Sequence, residues 1–183
     1  NITNLRSPDD AFAKAFSSTQ PNVVVLNTAR SPELNAAFVK LERLDQLYPG
    51  RVVRMFGYTE WLMYASYDFA HFCKYDTYIP TTFYYNASAA ATQALEKSYR
   101  SWFHESLMQA LPRFAITGYD HAQFFIRGIL QYGNQFTGTR WQRIYQPLQT
   151  PLQFEPVGKG GRQNTAFQLI HYMYNGSVES LAY

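Results

Sequence analysis

The sequence predicts an α/β fold: a Rossmann-like open, mostly parallel sheet flanked by helices, followed by a C-terminal antiparallel β meander. Three observations predict it. Two runs, Val23-Val24-Val25-Leu26 and Val52-Val53-Arg54-Met55-Phe56, are apolar enough for strands covered on both faces. Between them, Leu34, Ala37, Phe38, Leu41 and Leu44 recur at helical spacing, which makes a βαβ series with a right-handed crossover. Near the end of the chain, short apolar runs alternate with the turn signals Lys159-Gly160-Gly161 and Asn175-Gly176.

The totals narrow the class. A chain of 183 residues builds a conventional core without staples, and 46% hydrophobic with 16% charged residues is a globular balance. One domain over 1–183 is expected, with a βαβ body over about 1–111 and a crossover helix and terminal strands over about 112–183. The net charge of +3 has no basic stripe behind it, so nucleic acid is not an expected partner. Cys73 is alone and cannot form an intramolecular disulfide; its apolar surroundings, Phe69 and Phe72, read as those of an inert buried thiol. No stretch approaches the roughly 18 apolar residues of a membrane span. The chain opens on Asn1 with no signal peptide, which reads as a processed or excised start with modules missing upstream. Aromatic residues make up 17%, which serves either a Phe-filled core with Tyr at its wet edges or a surface that stacks on sugars and flat ligands.

In chain order, Ser7-Pro8-Asp9-Asp10 is helix-start chemistry, and Ala11, Phe12, Ala15 and Phe16 give that helix a buried face. Val23–Leu26 reads as a buried parallel strand, with Asn27-Thr28-Ala29-Arg30 as its exit loop. Ser31-Pro32-Glu33 starts the next helix, which stops at Tyr48-Pro49-Gly50. The strand over 51–56 ends at Gly57, where the chain turns. A short helix is expected from Trp61 to about Phe72. Tyr75–Tyr85 is β-rich, but Pro80 confines it to an edge strand or two short pieces. A longer helix runs from Ser88 to about Met108, with Ala91, Leu95, Tyr99, Trp102 and Phe103 on one face. After Pro112, Phe114-Ala115-Ile116 reads as a short extended piece, and Gly118-Tyr119-Asp120 leads into a helix that buries Phe124, Phe125, Ile129 and Leu130. Trp141–Tyr145, Pro151–Val157 and Ala166–Tyr174 read as the three terminal strands.

Chemistry is sparse. His71, His104, His121 and His171 lie far apart with no metal-ligand spacing, so neither a metal nor a cofactor is expected. There is no GxSxG elbow, and Val157-Gly158-Lys159-Gly160-Gly161 lacks the phosphate-loop pattern. The candidate binding residues gather at strand exits, where open α/β sheets bind ligands. Arg30, with Thr28 and Ser31 beside a helix start, suits an anion, or is an ordinary surface arginine next to a cap. Glu60, between Tyr58 and Trp61, suits an ammonium or sugar hydroxyls, or forms a capping box with Thr59. Arg30 and Glu60 together would hold an amino-acid-like ligand, or pair with each other. Glu60 and Asp120 form a second candidate set, the paired acids of a cell-wall hydrolase, against which Asp120 reads as the cap of a helix starting near His121. Three sequons begin at Asn1, Asn86 and Asn175; for the bacterial origin expected here they carry no weight.

The ordered segments PNVVVLNTA, RVVRMFGYTEW and GYDHAQFFIRGILQYG resemble the type I periplasmic binding-protein fold, in particular the amino-acid receptors of transporters. Gly118-Tyr119-Asp120-His121-Ala122 is similar to that family's Gly-Tyr-Asp-Ala helix start. The ending LQTPLQFEPVGKGGRQNTAFQLIHY resembles a Bacteroidetes envelope group in which such a domain follows LysM-type peptidoglycan-binding modules. The resemblance implies a non-enzymatic ligand-binding or scaffolding lobe of the periplasm or cell envelope, corresponding to the second of the family's two lobes. By position, it places the loops of Thr28, Glu60 and Tyr84 on the interlobe cleft, with an amino-acid-like or cell-wall ligand. It also implies that residues from about 112 to 133, which pack on the first lobe in that family, need another surface, including that of a dimer partner. A purely structural domain with a degenerate cleft is the third reading.

Overall fold

In the computed structural model, which describes residues Asn1–Tyr183, a short helix α1 (Asp9–Ala13) leads into strand β1 (Asn22–Val24), helix α2 (Ser31–Leu47) and strand β2 (Val53–Met55). Strands β1 and β2 pair in parallel, with Asn22 opposite Val53 and Val24 opposite Met55. Helix α2 forms where the sequence places it. Pro32 sits in its first turn, and Leu34, Ala37, Phe38, Leu41 and Leu44 are all buried. Arg30 occupies the cap position with extended backbone, and its amide is bonded to Thr28 Oγ1 at 3.3 Å. Lys40 and Arg43 of α2 grip Asp9 at 2.6 and 2.8 Å, which pins α1 to this helix.

The chain then makes a 3-10 turn over Thr59–Met63, helix α3 (Phe69–Lys74) and strand β3 (Thr77–Thr81). Helix α4 (Ala90–Phe103) and helix α5 (Phe114–Tyr132) follow. Strands β4 (Phe154–Val157) and β5 (Gly161–Asn164) form an antiparallel hairpin; β6 (Gln168–Tyr172) and β7 (Val178–Ala182) end the chain. The chain divides into two compact units: Asn1–Pro80 with Leu169–Glu179, and Thr81–Gln168 with Ser180–Tyr183.

The Rossmann-like open parallel sheet is not formed. Parallel ladder pairing is confined to β1 and β2, while β3, β6 and β7 make a separate three-stranded sheet with β6 in the middle. One isolated parallel bridge, Phe56 to Tyr78, is the only ladder contact between β2 and β3. Two physical reasons stand out. Strands β1 and β2 are three residues each, too short to template a wide sheet. They are also covered on one face only: Val53 and Met55 are buried, whereas Val23 and Val25 are 64% and 60% exposed. A β-branched run does not reveal how many of its faces are covered, and the doubly buried strand read at Val23–Leu26 is a half-covered edge. Pro80 lies within β3, and β3 is an edge strand of its sheet, as proline requires.

The terminal meander is corrected too. Trp141–Tyr145 is no strand; Arg140–Gln142 is a 3-10 turn whose Gln142 Oε1 accepts the amides of Thr137 and Gly138. Phe114–Ile116 is not extended but opens α5, so Asp120 stands inside the helix rather than at its cap. Helix α4 ends at Phe103, where His104 takes a left-handed φ of 57°, and Trp102 and Phe103 stay exposed. The helix expected over Trp61–Phe72 is split between the 3-10 turn and α3.

The core of the first unit is aromatic. Phe38 stacks on His71 at 4.4 Å and meets Phe72 edge-on, while Phe72 lies parallel to Trp61 at 5.9 Å and touches Tyr172. The core of the second unit is smaller, with Leu107, Ile116, Phe124 and Ala166 buried and Phe124 packed on Phe136 and Phe154.

Candidate ligand-binding cleft

A cleft of about 1020 Å³ lies in the first unit against β1, with the segment 1–6, residues 21–28 and the first turns of α2 as its walls. Strand β1 pairs on one side only, so its other edge carries backbone groups with no strand partner. The polar lining includes Arg6, Asn22, Asn27, Thr28 and Glu33. Asn22 is committed to the scaffold, since its side chain bonds Ser17 and the Val52 carbonyl. The Arg6 guanidinium has neither a hydrogen bond nor an ion pair and is exposed. Glu33 Oε1 is 3.5 Å from Arg30 Nη1, whereas its Oε2 is shut off from solvent and meets no donor. A carboxylate oxygen without water or a donor is costly, and a donor arriving there removes that cost. The cleft is thus lined by one unpaired cation, Arg6, and by a carboxylate, Glu33, that is paired through Oε1 and lacks a donor at its shielded Oε2.

The structure brings part of the sequence-predicted set together. Thr28 lines the cleft, and Arg30 and Ser31 follow it at the start of α2, where Ser31 Oγ accepts from Asn35 Nδ2. Tyr58 donates its hydroxyl to the Leu26 carbonyl, which ties the exit loop of β2 to that of β1. Thr59 Oγ1 donates to the Pro80 carbonyl, and the 3-10 turn has Tyr58 at its cap position with no side-chain cap bond. Thr59 and Glu60 therefore form no capping box, and Glu60 is exposed without a side-chain partner. Arg30 pairs with Glu33, not with Glu60. Trp61 turns inward and is fully buried, with its indole N–H unpartnered. Tyr84 belongs to the second unit, where its amide bonds the Gln149 carbonyl and burial raises its phenol pKa.

Asp120 is neither a free acid nor a helix cap. It is fully buried in the second unit, and its carboxylate accepts the Tyr145 hydroxyl and the amides of Leu148, Gln149 and Thr150 at 2.7–2.8 Å. Four donors fill the lone pairs of both oxygens, which leaves nothing for a substrate proton. Burial, followed by the bond to Asp120, pushes the Tyr145 phenol well above its ordinary pKa. Elsewhere in the first unit, His171 sits between Asp76 and Glu179 at 2.7 and 3.0 Å, and Arg54 Nε lies 2.7 Å from Asp76. These groups use their atoms on one another, and no three His, Cys, Asp or Glu side chains are arranged to hold a metal ion.

Arg6 and Glu33 escaped the sequence reading. Glu33 is an acid in the first turn of a helix, a position explained by the helix dipole alone. Its proximity to Arg30 was the available signal, since i, i+3 pairs share a helix face. No family model, curated protein or solved structure matches the chain. No helix is long and apolar enough to cross a membrane.

Proposed function

We propose that the chain is a non-enzymatic binding domain whose ligand is an amino-acid-like molecule or a cell-wall fragment, seated in the cleft beside β1. The observation that carries this reading is that one cleft is lined both by the unpartnered Arg6 guanidinium and by Glu33, whose Oε2 lacks a donor. A zwitterion presents a carboxylate to the first and an ammonium to the second. The volume of about 1020 Å³ is at the upper end for small-molecule sites, so a short peptide or muropeptide fits it better than a free amino acid. Thr28 supplies a hydroxyl on the same lining. Placement in the cell envelope is part of the same proposal and rests on the resemblance of PNVVVLNTA, RVVRMFGYTEW and GYDHAQFFIRGILQYG to periplasmic binding proteins.

Titration calorimetry with a panel of amino acids, di- and tripeptides and muropeptides tests the reading. Binding heat from at least one zwitterionic ligand, weakened about tenfold or more by Glu33→Gln, is the expected result. No heat from any member of the panel would sink it, as would a ligand that binds the Glu33→Gln and Arg6→Gln variants unchanged.

A further inference from the structure

Helix α5 is built inside out. The face turned into the second unit carries Ile116, Asp120, Phe124 and Gly128, and it includes a charge. The opposite face carries Ala115, Gly118, Ala122, Phe125, Ile126, Ile129 and Leu130, all exposed and none charged. Ile126 and Ile129 are 58% and 57% exposed and Leu130 is 81% exposed. An outward helix face this apolar is normally covered by another layer. The helical spacing predicts burial of Phe125, Ile129 and Leu130; in the structure Phe125 is partly covered by Phe136 and Phe154, whereas Ile129 and Leu130 stay largely open.

We propose that a second copy of the chain covers this face, with the two α5 helices packed antiparallel about a two-fold axis passing near Ala122. Size is the first argument. The small residues Ala115, Gly118 and Ala122 occupy the N-terminal half of the face, and the large Phe125, Ile126, Ile129 and Leu130 occupy the C-terminal half. Antiparallel pairing about Ala122 sets Gly118 opposite Ile126 and Ala115 opposite Ile129, large against small at the centre, with Tyr119 against Phe125 and Phe114 against Leu130 as ring contacts beside it. A two-fold interface demands this kind of self-complementarity, and a parallel pair would set large against large.

Gly118 is the second argument. Its φ is not positive, and a Cβ added there would meet nothing within 4 Å, so neither conformation nor crowding inside the chain requires a glycine. Mid-helix glycine disfavours the helix relative to alanine. A bulky side chain or backbone arriving from outside gives the position its reason. Area is the third argument. The exposed part of the face amounts to on the order of 600 Å² per copy, against about 800 Å² per partner at a standard interface, which suits a reversible dimer.

The test is sedimentation velocity on the full chain over about 1–300 µM, with three variants. The expected result is a concentration-dependent shift from 21.2 kDa toward twice that mass. Ile126→Asp should abolish the shift. Gly118→Leu should abolish it too while leaving the melting temperature equal or higher, because leucine is the better helix former and the chain has room for it. Ala122→Cys should cross-link to its twin under mild oxidation, whereas Gln131→Cys, off the face, should not; native Cys73 is buried. A monomer at every concentration overturns the proposal, as does a dimer that survives both Ile126→Asp and Gly118→Leu. Capture of the monomer by anionic phosphatidylglycerol vesicles, with no self-association, overturns it in favour of a lipid surface.

Discussion

The buried carboxylate of Asp120 accepts the Gln149 amide at 2.8 Å, so helix α5 is bonded directly to the backbone of a segment 29 residues further along the chain. The same two residues hold the surroundings as well. Gln149 Oε1 accepts the Arg113 amide at the start of α5, and its Nε2 donates to Thr117 Oγ1. Asp120→Ala strands the donors of Tyr145, Leu148, Gln149 and Thr150 in the interior and should cost about 3 kcal/mol or more. Urea melts check this, and a cost under about 1 kcal/mol would show that solvent or other groups replace the carboxylate.

Gly57 is a glycine because of Trp61. A Cβ at this position would lie 2.3 Å from Trp61 Cε3, and Gly57 has no positive φ to explain it otherwise. The fully buried indole cannot swing aside without leaving its stack on Phe72. Gly57→Ala should therefore destabilise the first unit by roughly 2 kcal/mol, the usual scale of overpacking. Denaturant melts followed by tryptophan fluorescence give the size, and a neutral result would mean that the ring moves freely.

Acid should loosen α1. The Lys40 hydrogen bond, then that of Arg43, holds Asp9 below the usual carboxylate range. Its folded value lies below its unfolded one, so the clamp contributes fully above the unfolded pKa and is lost as pH falls through the folded pKa. The protection of the Phe12 and Lys14 amides, bonded to the Pro8 and Asp10 carbonyls, should stay high relative to the unfolded chain at neutral pH and fall once the pH drops below about 4. Lys40→Met, which keeps the side chain's packing on Phe12 but not its charge, should move that onset to higher pH. An onset unchanged by the variant would assign the acid response to another group.

Glu60→Ala should leave stability within about 0.5 kcal/mol, since the side chain is exposed and unpartnered. Thermal melts check it. A loss of several times that size would reveal a structural role that the static geometry lacks.

Much of the first unit was legible in the sequence because its local and global signals agree. Leu34, Ala37, Phe38, Leu41 and Leu44 mark one face of a helix with a clear start and stop, and all five are buried. The pairing of the two valine-rich runs was legible for the same reason. What failed was coverage. Periodicity distinguishes a helix from a strand but does not say whether a second layer lies above Val23 and Val25, or whether Ile129 and Leu130 face inward. Pro112 misled the start of α5, because proline breaks a helix behind it and leaves the next one free to begin at Phe114. Trp61 misled the site. A loop aromatic at a strand exit reads as a ligand contact, and only the packing against Gly57 and Phe72 shows that it fills the core.

Asp76 and His171, bonded at 2.7 Å, are 95 residues apart, and the stretch between them makes up nearly all of the other unit. Chain synthesis is vectorial, so during translation Asp76 emerges long before its partner does. The second unit is complete apart from Ser180–Tyr183 before Leu169–Glu179 can be threaded back to finish the first. In that interval β3 waits with an open edge where β6 will dock. Pro80 does not guard that edge, because its carbonyl turns the other way, toward the Thr59 hydroxyl, so the waiting edge of β3 keeps its full set of backbone donors until β6 arrives.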